Sequence, residues 1–147
     1  MQEGFVLKGQ VELEIIREDG SIEIIKNNNT IMDVSRQNVA NILLGNDTSG
    51  VIPMFFGVGT DPTISNVNMS ELVVPLGARK FLVSKDKSYS SLVYQFQSAA
   101  GEHTGTWKEA GLFSSYNDTG TLFCRANISP VNKAAGDTIN GTWRIIF

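Results

Sequence analysis

The segment from Trp107 to Phe147 constrains the fold more than any other stretch. It holds both tryptophans and runs as short alternating segments divided by polar turns. The runs fall at 106–113, 121–128 and 141–147, with a further short segment predicted at 137–140. Alternation with period 2 places one face of each run in a core, and short strands joined by polar connections are the pattern of a sandwich or jelly roll. Trp107, Leu112, Phe113, Leu122, Trp143, Ile145 and Phe147 are the predicted strand residues of that core, with alternation turning some of them outward. Phe147, an aromatic closing an alternating run, is expected to be packed rather than frayed.

Upstream, residues 5–16 alternate Val11, Leu13 and Ile15 against Glu12 and Glu14. Glu18-Asp19-Gly20-Ser21 reads as a turn, and Ile22 and Ile24 resume the alternation, so the two runs make a hairpin. Asn27-Asn28-Asn29 reads as a polar loop. A helix is predicted over 33–44, with Asp33 as its N-cap and Gly45 as the left-handed residue that ends it. A strand follows at 51–58, then a tight turn through Gly57-Val58-Gly59-Thr60-Asp61-Pro62-Thr63. Residues 60–75 form an irregular connection of a length that marks a functional or interface segment. Strands are predicted at 80–84 and 91–97, with Asp86-Lys87-Ser88 in the turn between them. The expected architecture is mainly β: one antiparallel β-sandwich or jelly-roll-like domain over 1–147, with one short α-helix and an N-terminal hairpin–helix segment at about 5–45.

A chain of 147 residues can bury a core as one domain. Its net charge of -3 is the wrong sign for a nucleic-acid binder, which needs a basic face. No apolar run is long enough to cross a membrane as a helix, and Met1-Gln2-Glu3-Gly4 does not open a secretory signal. The single cysteine, Cys124, forms no internal disulfide, so synthesis in a reducing cytoplasm is expected.

The residues that could carry chemistry are few. Gly57 and Gly59 lack the third glycine of a dinucleotide loop, since Pro62 stands in its place. One His and one Cys do not make a zinc site, so no metal or other cofactor is expected. Cys124 and His103 could pair as nucleophile and base only if the fold joined them. Cys124 sits in an apolar run and reads as packing, and His103 lies in a glycine-rich loop and reads as exposed. Glu12, Glu14 and Glu23 form the polar face of the hairpin. Glu109 is predicted to stay exposed or to form a structural ion pair with Arg125 or Arg79. No catalytic residue is assigned, and the structural and interface candidates are Trp107, Glu109, Phe113, Arg125, Trp143 and Phe147.

Trp107-Lys108-Glu109-Ala110-Gly111-Leu112-Phe113 followed by Gly120-Thr121-Leu122-Phe123-Cys124-Arg125 resembles a pattern of tailed-bacteriophage virion proteins. In that pattern an E-A-G-L-F strand precedes a G-x-L-x-x-R strand, then a lysine, a G-D-T and a closing T-W-x-I-x-F. The matching residues here are Lys133, Gly136-Asp137-Thr138 and 142–147, with Gly57-Val58-Gly59-Thr60 and Arg79-Lys80 upstream. Leu72-Val73-Val74-Pro75-Leu76 departs from it as an insertion. The resemblance implies a non-enzymatic structural protein of the virion. A capsid decoration (cement) protein that bridges major capsid subunits comes first, and a tail, baseplate or fibre-adaptor component is the alternative. A homo-oligomer, with a trimer favoured, would match local three-fold axes of a shell. A carbohydrate-binding module is the alternative of another class.

Overall fold

The computed structural model describes residues 7–46, 52–117 and 121–147. Expectations that touch residues 5–6, the 46–50 loop beyond Asn46, Val51 and Gly120 lie outside the described residues. The described chain is mainly β, as its alternation requires. Its strands are β1 (Lys8–Ile16), β2 (Ile22–Ile31), β3 (Phe55–Gly59), β4 (Lys80–Phe81), β5 (Ser84–Ser88), β6 (Ser91–Ser98), β7 (Gly105–Phe113), β8 (Leu122–Lys133) and β9 (Thr138–Ile146), and the one α-helix is α1 (Asp33–Leu43).

The strands hydrogen-bond into one antiparallel sheet of order β4-β3-β7-β8-β2-β1-β9-β6-β5. The packed layers expected of a sandwich are therefore parts of one continuous, curled sheet. β4 and β5 stand at its opposite ends, yet only Leu82 and Val83 separate them in the chain. The Leu82 N–H donates to Met54 O at 3.0 Å on the β3 side, and the Val83 N–H donates to Gln95 O at 2.7 Å on the β6 side. One extended segment thus ties both edges together and closes the sheet, which removes the exposed edges that invite aggregation.

Closure puts one face of every long strand inside. Val11, Leu13, Ile15, Ile139, Trp143 and Ile145 point inward from β1 and β9. From opposite ends of the strand order, Phe56 and Phe96 stack with ring centroids 4.5 Å apart, so the curl is tight enough to bring β3 and β6 face to face. Phe96 also lies across Gly141, where any side chain would collide with its ring.

Local details correct several expectations. Asn27-Asn28-Asn29 lies within β2, not in a loop, and pairs with Val11, Gln10 and Gly9. Asp86-Lys87-Ser88 belongs to β5, and Tyr89, with φ 53°, makes the turn instead. Residues 138–146 form one strand, β9, rather than two. Gly57 and Gly59 are strand residues of β3, not turn residues. The N-cap of α1 is Met32, with Asp33 in the first turn. The Met32 carbonyl accepts from Ser35 and Arg36, and no side chain caps the helix. Gly45 does adopt the left-handed conformation, with φ 81°.

Candidate functional site

A β-bulge between Trp107 and Glu109 shifts the phase of β7. Trp107 points into the barrel before it. After it Ala110 and Leu112 point inward, and Glu109, Gly111 and Phe113 face the outer side. Residues 60–76 run as a strap across this outer face of β3, β7 and β8. A second apolar cluster, Met32, Phe55, Leu72, Phe113 and Leu122, fills the space beneath the strap.

The strap is held by Glu109 and Arg125, both fully buried. Arg125 donates to Glu109 Oε1 through Nε at 3.2 Å and Nη2 at 3.1 Å. The remaining acceptor capacity of the carboxylate goes to strap backbone: Val73 N–H at 2.8 Å, Val74 N–H at 2.9 Å and Asp61 N–H at 3.1 Å. The remaining donor capacity of Arg125 goes to Thr63 O at 2.6 Å, Ser65 Oγ at 2.8 Å and Asp61 O at 3.4 Å. Asn127, next along the outer face, accepts from Ser65 N–H at 2.9 Å and donates to Thr63 O at 2.8 Å. A buried pair is worth its desolvation only when its other lone pairs and protons are satisfied, and here they are, by a segment whose one bridge to a strand is the antiparallel contact of Pro75 with Gly59.

The glycine spacing makes room for this clasp. A Cβ at Gly59 would lie 2.5 Å from both Glu109 Oε2 and Val74 O. Gly57 and Gly111 occupy the next row, under Phe113 and Leu122. Arg79 fastens the far end. Its guanidinium sits 3.6 Å above the Phe113 ring, pairs with Glu71 and donates to Ser115 O at 3.1 Å. Of the two partners foreseen for Glu109, the geometry selects Arg125 and gives Arg79 to the strap's Glu71.

At one end of the barrel His103 is buried, against the expectation of exposure. Its Nε2 lies 2.7 Å from Ala78 O and its Nδ1 2.9 Å from Ser98 Oγ. A carbonyl only accepts, so Nε2 carries a proton. Burial lowers its pKa from the ordinary histidine value. Trp107 Nε1 donates to His103 O at 2.8 Å. Lys133 is buried beside this loop with Nζ 2.9 Å from Ala99 O, and burial lowers its pKa too. Asp137 accepts from Ala134 N–H and from Arg17, which hold its carboxyl below the usual range. Each of these groups joins loops to one another.

Cys124 and His103 are not joined. The thiol is fully buried beside Asn29 and its pKa is raised by burial, while the imidazole is engaged by Ser98 and Ala78. Trp143 is fully buried in the barrel. Phe147 is not packed in the core as expected: it lies past the end of β9 and is 45% exposed. The structure therefore brings Glu109, Phe113 and Arg125 together under the strap, puts Trp107 and Trp143 inside, and leaves Phe147 at the barrel mouth beside α1. The strap's own contribution, made through the backbone of Asp61, Thr63, Val73 and Val74, has no side-chain motif to announce it. The every-other-residue glycines of β3 were its available signal.

Among the described residues no three His, Cys, Asp or Glu side chains group as a metal site, and no helix is long and apolar enough to cross a membrane. Comparison with protein families, with curated proteins and with solved structures finds no match.

Proposed function

We propose that this chain is a non-enzymatic structural protein of a tailed-phage particle, acting as a decoration protein that binds the outside of the capsid and bridges its subunits. The observation that carries this reading is how the ionisable and apolar groups are divided. The buried ionic groups are consumed by the protein's own backbone, as Glu109 and Arg125 are, which suits a rigid part rather than a reacting one. Large apolar side chains are meanwhile left outside, around the barrel mouth at Ile42, Leu43, Ile52 and Phe147, and around Phe55 at Phe81 and Tyr116. Exposed apolar patches of this kind mark interaction surfaces. The residues of the virion-like pattern support it as well, because Glu109, Phe113, Arg125, Lys133, Asp137 and Trp143 are the ones that hold the barrel and its strap. The net negative charge suits a place outside a shell filled with DNA.

The test is to add the purified protein to particles that lack it. Saturable attachment to heads, with a higher temperature of DNA release, is the expected result. Attachment to tails alone moves the protein to a tail or fibre-adaptor role, and no attachment removes the virion reading. For a carbohydrate-binding module the available face is a groove of about 430 Å3 lined by Glu12, Glu14, Gln95, Gln97, Asn140 and Thr142. Of the aromatic residues that could stack on sugar rings, Phe96 borders this groove but is buried in the barrel core with Tyr94, and Tyr89 is exposed at the β5–β6 turn and does not line it.

A further inference from the structure

Between α1 and the barrel mouth lies an apolar groove of about 300 Å3, whose walls include Val39, Ile42, Ile52, Leu92, Tyr94 and Phe123. Ile52, Leu92 and Tyr94 also line an adjoining depression that carries Lys85, Asp86 and Lys87. The register explains why lysines border an apolar groove. Lys85 pairs with Tyr94 and Lys87 with Leu92, so both project on the side of β5 that those groove residues occupy. Neither forms an ion pair among the described residues, and the polar contact of Lys85 is the Met54 thioether sulfur, 2.9 Å from Nζ. Asp86, between them, takes the Lys87 N–H at 2.7 Å. One more polar group waits in the groove wall. Asn38 Nδ2 is buried with no hydrogen-bond partner among the described residues.

We infer that this groove docks a segment of another virion protein that presents a bulky apolar side chain followed by a carboxylate. The apolar side chain fills the space between α1 and Leu92–Tyr94. The carboxylate meets Lys85 and Lys87, and Asn38 donates to a carbonyl of the segment. Charge complementarity selects the acidic partner: among the described residues, two ammonium groups with one carboxylate between them leave a positive edge on a molecule that is negative overall. Size and shape favour a protein anchor over a small molecule. The groove is at the lower limit of volumes that engulf a free ligand, and it is open along one side. It suits a single aromatic or aliphatic anchor of the kind that dominates protein interfaces. This inference rests on the proposed attachment to a particle and adds the surface and chemistry of the contact.

The experiment has two arms. In the first, the whole protein labelled with 15N is titrated with the acetylated peptide GSFLDEG, with GSFLKKG and GSSSDEG as controls. The expected result is saturable shifts at Val39, Leu92, Tyr94 and Lys87 with GSFLDEG. Binding of both controls should be at least about tenfold weaker, about 1.4 kcal/mol. Lys85→Glu with Lys87→Glu should reverse the preference toward GSFLKKG. Equal binding of all three peptides, or none, overturns the inference. So does binding that emerges only when residues 1–6 are removed, because the groove then belongs to the chain itself. Shifts at the same residues on raising protein concentration alone assign it to a second copy and overturn it too. In the second arm, the wild type and the double variant are added to particles. Loss of attachment by the variant alone supports the groove. Equal attachment of both strikes the groove and leaves the virion reading standing, whereas a wild type that attaches to nothing strikes that reading whatever the peptides do.

Discussion

The outer face of β3, β7 and β8 and the barrel mouth beside α1 are both places where the sheet meets an irregular or helical segment, and they are finished in opposite ways. On the strapped face, residues 60–76 give their backbone N–H and C=O groups to Glu109 and Arg125, and Leu72 fills the apolar space below. At the mouth, α1 has one fully buried side chain, Ser35, whose hydroxyl lies 3.4 Å from Leu122 O. Its Ile42 and Leu43 stay largely exposed, and Asn38 Nδ2 has no hydrogen-bond partner among the described residues. The difference teaches how to read a long polar loop and a short amphipathic helix in a chain of this kind. The loop read as a functional or interface segment lies as a cover over the sheet, and the short helix borders the open surface.

The largest expected effect comes from breaking the clasp. Arg125→Met leaves the Glu109 carboxylate buried and uncompensated and should cost about 3–5 kcal/mol in urea unfolding. The Glu109→Gln, Arg125→Met double variant should recover part of that loss. If Arg125→Met costs less than about 1 kcal/mol, a small surface-pair value, the strap is not held as described. Trp143→Ala tests the barrel interior on the same scale, at about 3–5 kcal/mol. Gly59→Ala should follow at about 1–3 kcal/mol, because the new methyl meets the Glu109 carboxylate and Val74 O at once.

How much of this was legible in the sequence follows from what each residue reports. Alternation reports which face of a strand is buried, so the strands of 105–146 and the first hairpin could be read directly. It does not report pairing, so one closed sheet and a sandwich of two sheets look alike. The asparagines of β2 were misread because Asn favours turns. Here strand pairing on both sides, with Gly9 opposite Asn29 and Ala126 opposite it on β8, overrides that preference. The Glu109–Arg125 pair was legible only as one of several options. The choice depends on the bulge after Trp107, which turns Glu109 to the same side as Arg125, and a bulge leaves no mark in the spacing.

Smaller effects sharpen the contrast further. The folded protein lowers the pKa of His103 by burial. Its contribution is therefore present above the unfolded histidine value of about 6.5 and is lost as pH falls through the lower folded value. The melting temperature should fall as pH drops from about 7 to about 5, and His103→Gln should flatten that part of the profile. A profile identical in the variant would remove His103 as the cause. At the mouth, Leu43→Ser should change unfolding free energy by no more than about 0.5 kcal/mol, because Leu43 packs against little. Hydrogen exchange should order the same two regions, with the amides of Val73 and Val74 slow and those of the last turn of α1 fast.

The central claim is that a strapped, rigid barrel uses its α1 mouth to bind a particle. Cryo-electron microscopy of particles with and without the protein tests it most directly. Difference density on the head, bridging neighbouring capsid subunits with the α1 mouth turned toward one of them, is the predicted result. Density confined to the tail, or head density in which the strapped face makes the contact and the mouth points to solvent, would contradict it.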